Sequence, residues 1–295
     1  MQKKFTGKDV IVMACSDCNT KCKHCYINYK GNMSEEQLNS LVDKLVQSYN
    51  TSINGTEVII HPEYFNALKK VGQTRIMTNG IEILRNPEIL KRLKSLGIEI
   101  IPISYHMKIH NDISSVDKEK IKDVINIIKK NSMKVRIMVT INKKNYLYVE
   151  EMCKRAIELG ANSIRFTNYL KTGNAVYLPN DYLTEKQILR FLEEIRRVRN
   201  LYDKNVLEIK RCGTFGIGNI DSHNNFKCPA GVDLIAVTSD MKVYPCNFLA
   251  KPGYEIGFVK DGNIFITKEI NNSGVKCIAK EVFNQEGRFN EFFSG

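Results

Sequence analysis

The chain has 295 residues, 43% of them apolar and 26% charged, with a net charge of +12. This is the make-up of a soluble globular protein, with length for one large domain or a main domain and an appendage. No run of 18 apolar residues occurs, which excludes an ordinary membrane-spanning helix, and the first residues lack the basic, apolar and small-residue regions of a secretory signal. A cytoplasmic protein is expected, in which thiols stay reduced and clustered cysteines hold metal. Lysines are spread through every helical segment, with no basic cluster or base-stacking motif, so nucleic acid is not the expected partner.

In chain order, DVIVMAC (Asp9 to Cys15) reads as a strand and MSEEQLNSLVDKLVQSY as a helix capped by Ser34. TEVIIH follows as a strand, PEYFNALKKVG as a helix, TRIMTNG as a strand, PEILKRLKSLG as a helix and IEIIPISYH as a strand. Then come the helix SSVDKEKIKDVINIIKKN, the strand KVRIMVTIN, the helix YVEEMCKRAIELG and the strand SIRFTNYL. Six strands, most separated by a helix, predict an α/β fold built as a parallel barrel or open barrel. The repeat ends near residue 170, short of the about 250 residues of a full eight-fold barrel.

TEKQILRFLEEIRRVRNLY (Thr184 to Tyr202) reads as a bridging helix. Beyond it CGTFGIGNIDSHNNFKCPAG is loop-rich, and DLIAVTSDMKVYPCNF reads as a hairpin turning at Ser239-Asp240. The expected organisation is a barrel core over residues 1–182, the bridging helix over 183–204 and a small C-terminal domain over 205–295.

Cys18, Cys22 and Cys25 have the spacing C-x3-C-x2-C directly after the first strand. A structural zinc site wants four closed ligands, usually as two separated pairs. Three thiolates in one loop suit three irons of a [4Fe–4S] cubane whose fourth iron stays open. With this loop the chain resembles the radical S-adenosylmethionine (radical SAM) superfamily. The resemblance implies a partial (β/α)6 barrel and puts His24 beside the adenine. Gly55, Thr56 and Glu57 resemble the family's Gly-Gly-Glu turn, in which the carboxylate meets the SAM ammonium; Thr56 and Val58 depart from the usual Gly and Pro. The resemblance also implies that Thr78 and Asn79 in IMTNG, Ser104 in ISYH and Arg165 in SIRFTNYLKTGNA face SAM. His106 stands where the family commonly has Asp. These positions lie at carboxyl ends of strands, the face that hosts chemistry in such barrels. Cys15 and Cys153 read as core.

Cys212, Cys228, Cys246 and Cys277 follow the bridging helix. CPAGVDLIAVTSDMKVYPCNF resembles the C-terminal auxiliary-cluster extensions called SPASM, or twitch in the shorter form, with Met241 where a Gly is usual. That resemblance implies one auxiliary [4Fe–4S] cluster, with Cys212 either its fourth ligand or a free thiol able to give a hydrogen atom. The implied activity is reductive cleavage of SAM to a 5′-deoxyadenosyl radical, fed by an electron donor such as flavodoxin or ferredoxin. The expected substrate is a ribosomally made peptide that is crosslinked, given a thioether or epimerised, with a separate leader-peptide carrier. Oxidation or rearrangement of a small molecule (a sugar alcohol or nucleotide) is the alternative, and a non-catalytic iron–sulfur or nucleic-acid-binding protein the third reading.

Overall fold

The computed structural model describes residues 3–216, 227–271, 276–284 and 289–293. The chain runs β1 (Lys3–Lys4), β2 (Asp9–Cys15), α1 (Glu35–Leu45), β3 (Asn50–Gly55), α2 (Phe65–Val71), α3 (Ile81–Arg85), α4 (Ile89–Ser95) and β4 (Ile100–Ser104). There follow α5 (His110–Ile113), α6 (Lys118–Lys130), β5 (Lys134–Ile141), α7 (Val149–Glu158), β6 (Ser163–Asn168), α8 (Glu185–Arg199) and β7 (Glu208–Arg211). The remainder is β8 (Leu234–Thr238), β9 (Lys242–Tyr244), β10 (Gly257–Lys260), β11 (Asn263–Ile266) and α9 (Ile278–Asn284). Ser34 and Thr184 start α1 and α8 with full capping boxes, closed by Gln37 and Gln187. No described helix is long and apolar enough to cross a membrane.

The chain divides into two compact units. The first holds Met1–Asn19, Tyr26–Gln73 and Phe226–Gly295. Its seven strands run in the order β1-β11-β10-β9-β8-β2-β3. β2 pairs in parallel with β3 on one side and with β8 on the other, and the remaining pairs are antiparallel. Met13 of β2 shares a buried cluster with Ala236, Tyr244 and Tyr29.

The second unit holds Thr20–Cys25 and Thr74–Asn225. Its four strands β4-β5-β6-β7 are all parallel. One face is a continuous apolar surface: Ile103, Ile137, Val139, Ile164 and Phe166 are buried, and Phe166 meets Phe191 of α8 edge to face at 5.6 Å. The other face carries Arg136, Met138, Thr140, Arg165, Thr167, Glu208 and Lys210, most of them half exposed. Side chains alternate along a strand, so this division follows from the register.

Two expectations are corrected. The second strand is NTSING, not TEVIIH; Val58–Ile60 form a short 3-10 turn. TRIMTNG makes only isolated bridges to β4, at Arg75–Ile100 and Thr78–Ile103. β8 pairs with β2, and its segment belongs to the first unit. The hairpin does turn at Ser239-Asp240, and Met241 there adopts φ 59°, the left-handed conformation a Gly would take. Met241 N–H donates to the Thr238 carbonyl, so the loop is a tight turn closed by a left-handed residue.

Candidate functional site

β2 ends at Cys15, whose thiol is buried and pushed up to about 11, chiefly by that burial. Its carbonyl accepts the Thr56 N–H at 3.1 Å and hydroxyl at 3.3 Å. Thr56 therefore fits where the family has Gly because its side chain bonds back to β2. Gly55 ends β3, Thr56 and Glu57 follow it, and Glu57 is 1% exposed.

The cysteine loop divides between the units: Cys18 goes with the first, Cys22 and Cys25 with the second. Within the second, Ser115 N–H donates to Cys22 Sγ at 3.4 Å, and Ser114 Oγ lies 3.9 Å from the same sulfur. Asn174 donates its side-chain N–H to the Cys22 carbonyl and its backbone N–H to the Cys25 carbonyl. Lys23 N–H bonds the Ile113 carbonyl. Ser114, Ser115 and Asn174 were not foreseen; a polar residue in a loop far along the chain carries no local signal of its partner.

His24 Nδ1 lies 2.9 Å from the Ile113 carbonyl, so the proton sits there and the ring is neutral, its pKa lowered by burial. His106 packs edge-on against it at 4.5 Å. His106 Nδ1 accepts the Thr140 N–H, and His110 Nδ1 accepts the His106 N–H, both at 3.1 Å. Both rings thus carry their proton on Nε2.

Register sets out the remaining positions. Ser104, Met138, Arg165 and Lys210 form one row across β4 to β7, on the half-exposed face. Asn79 follows the Thr78–Ile103 bridge, next to Ser104's level. Thr78 is paired with Ile103 of the apolar face, and its hydroxyl accepts the Gly80 N–H at 3.0 Å. Thr78 is thereby explained as a turn residue.

No disulfide joins any of the nine cysteines, all of which lie among the described residues. Cys228, Cys246 and Cys277 are buried in the first unit; Cys277 hydrogen-bonds Cys228, feels Cys246, and its thiol is raised well above the usual range. Cys212 belongs to the second unit, where its N–H donates to the Phe166 carbonyl at 2.8 Å and carries the β6–β7 ladder one residue further. Among the described residues, no three His, Cys, Asp or Glu side chains stand where one metal ion would take them all. A cubane differs from a single ion in spreading its thiolates over separate irons, and cysteine is the donor type that such a cluster takes.

Over 85% of its length the chain superposes on Streptococcus suis SuiB bound to precursor peptide SuiA, with TM-score 0.66 and 14% identity, spanning 62% of that chain. The fold is that of radical SAM enzymes. Native anSMEcpe with bound AdoMet and Cp18Cys peptide matches 85% of this chain and 77% of its own at TM-score 0.63 and 20% identity. The chain thus spans less than two thirds of SuiB and about three quarters of anSMEcpe. No protein-family model and no curated protein sequence matches it.

Proposed function

We propose that this chain is a radical SAM enzyme that modifies a peptide. One coincidence carries the reading: a C-x3-C-x2-C loop leaves the carboxyl end of β2 in a fold shared with proteins bound to AdoMet and to peptides. In this reading Cys18, Cys22 and Cys25 hold a [4Fe–4S] cluster. With SAM bound, such a cluster would supply the electron for reductive cleavage of SAM, the source of hydrogen-atom abstraction from the substrate.

The chain's own part is to hold and orient. Glu57, out of water, meets the SAM ammonium with a charge-assisted bond. Asn79 and Ser104 meet the ribose and carboxylate side, and His24 flanks the adenine. The Ser115 N–H on Cys22 Sγ steadies that thiolate as outer hydrogen bonds steady metal ligands. Cys228, Cys246 and Cys277 hold an auxiliary cluster. Cys212, on the ladder beside Thr167 of the half-exposed face, would give a hydrogen atom to the substrate radical, and one electron from the protein donor with a proton would return its thiyl radical to the thiol. A flavodoxin or ferredoxin delivers the electron.

The test is anaerobic reconstitution with reductant, SAM and candidate precursor peptides, followed by chromatography for 5′-deoxyadenosine and mass spectrometry of the peptide. Absence of 5′-deoxyadenosine from iron-loaded protein overturns the enzyme class. Its formation with an altered small molecule and unaltered peptides overturns the peptide reading.

A further inference from the structure

The half-exposed face of the four-stranded sheet carries an excess of positive charge. Arg136, Arg165 and Lys210 share it with a single carboxylate, Glu208, set by the register Arg136–Ser163–Glu208 and Met138–Arg165–Lys210. Glu208 is already committed: it pairs with Lys210 at 2.8 Å and reaches Arg136 only at 4.0 Å. Arg136 is 3% exposed and gives its Nε–H to Ser163 Oγ. Among the described residues the Arg165 side chain takes part in no hydrogen bond and no ion pair, though it is half-buried beside another guanidinium. A planar fork of donors, partly withdrawn from water and crowded by like charge, is stabilised by an oxyanion that accepts two of its N–H groups.

We infer that Arg165, flanked by Lys210 and Arg136, binds an anionic group of the substrate, a carboxylate in the case of a peptide. The inference rests on the peptide reading above and moves Arg165 from the cofactor to the substrate. Two features of the register favour the substrate. Arg165 stands two strands from Ser104, about 10 Å away at the spacing of neighbouring strands, with Met138 between them. It also stands one row below Cys212, on the adjoining strand, and a hydrogen-donating thiol must act on the substrate. An acidic side chain or a chain terminus seated on Arg165 would lie at the Cys212 edge of the face.

The experiment measures binding to the full iron-loaded chain, with SAM, glutarate and inorganic phosphate as probes, read from the thermal unfolding midpoint. Arg165→Gln is expected to weaken glutarate about ten- to a hundred-fold and leave SAM affinity unchanged. Lys210→Gln should weaken glutarate a few-fold, and Glu208→Gln, which removes the competing carboxylate, should tighten it. Arg165→Lys, which keeps the charge without the fork, should fall between wild type and Gln and covers the case of a misfolded Arg165→Gln. A loss of SAM affinity in Arg165→Gln overturns the inference, because the guanidinium then holds the cofactor. Equal glutarate binding in all variants overturns it too. Phosphate bound in strong preference to glutarate overturns the carboxylate and points to a phosphorylated small molecule. SAM cleavage is not the readout, so failure here is separable from failure of the enzyme class.

Discussion

Gly55 stands directly against Cys15: a Cβ added at Gly55 would lie 2.6 Å from Cys15 Sγ and 2.9 Å from its carbonyl oxygen. The backbone of the Gly-Thr-Glu turn is thus pressed onto the end of β2, which fixes where Glu57 begins. Gly55→Ala must push the turn away from β2, a strain of about 1–3 kcal/mol by the usual cost of overpacking. Denaturant unfolding should show that loss, and SAM affinity should fall with it because Glu57 moves. Cys15→Ala in the same chain removes the sulfur but not the carbonyl, so the double variant should recover part of the stability and not all of it. Full recovery would mean that the carbonyl contact is relaxed at no cost.

Glu57 itself is tested by Glu57→Gln, which keeps the shape and removes the charge. A charge-assisted bond to an ammonium is worth about 1.5–3 kcal/mol, so SAM should bind roughly ten- to a hundred-fold more weakly. Anaerobic titration measures it. Unchanged affinity would show that this turn does not hold the ammonium.

How much of this was legible in the sequence depends on the residue. The apolar run of β2, the three-cysteine loop and the capping signals of α1 and α8 are local, and local signals survive without a fold. β3 was missed because NTSING has one apolar side chain; it is an edge strand held by parallel pairing with β2, and pairing leaves no mark on composition. β8 was read as half of a hairpin, which it is, but its second partner β2 lies more than 200 residues earlier. Asn174 and Ser115 steady the cysteine loop from 152 and 93 residues away, measured to Cys22.

Met241 stands where the resemblance implies a Gly, and it takes the left-handed conformation at φ 59°. That conformation costs a non-Gly residue about 1–2 kcal/mol. Met241→Gly should therefore stabilise the protein by up to about 1 kcal/mol, less the entropy a Gly adds to the unfolded chain. Chemical unfolding of the variant checks the sign.

The paired imidazoles of the second unit predict an acid sensitivity. Burial lowers His110 to about 4 and His106 well below its usual 6.5. The groups facing them are His24 and each other, with Asp117 and Lys118 near His110. Both rings stay neutral in the fold while the unfolded chain takes up protons below about pH 6.5. The stabilisation is whole above that pH and is lost as pH falls towards 4, by about 3 kcal/mol from His110 alone. Unfolding free energies of wild type and His110→Gln at pH 7.5, 6 and 5 should converge as pH falls. Parallel lines would mean that His110 is protonated in the fold.

The distal cysteines yield the last prediction. Cys228, Cys246 and Cys277 are buried in a unit whose strands β8 and β9 share a core with Met13 of β2. A metal site there contributes folding energy to that whole unit, and not to a separate appendage. With two cubanes the loaded protein holds about eight irons, and Cys246→Ala should lose about half of them. Because β2 carries β8 on one side and the Gly55 turn on the other, the loss should also weaken SAM binding at Glu57, in contrast to a self-contained domain, which would be cut away by protease near residue 205 with SAM binding intact. Cys212→Ala separates the two readings of that residue: full iron content and SAM cleavage with no finished product is expected of a hydrogen-atom donor. Iron lost from Cys212→Ala would make it the fourth ligand instead. A wild type that holds only about four irons would remove the auxiliary cluster from consideration and leave the three buried thiols as core.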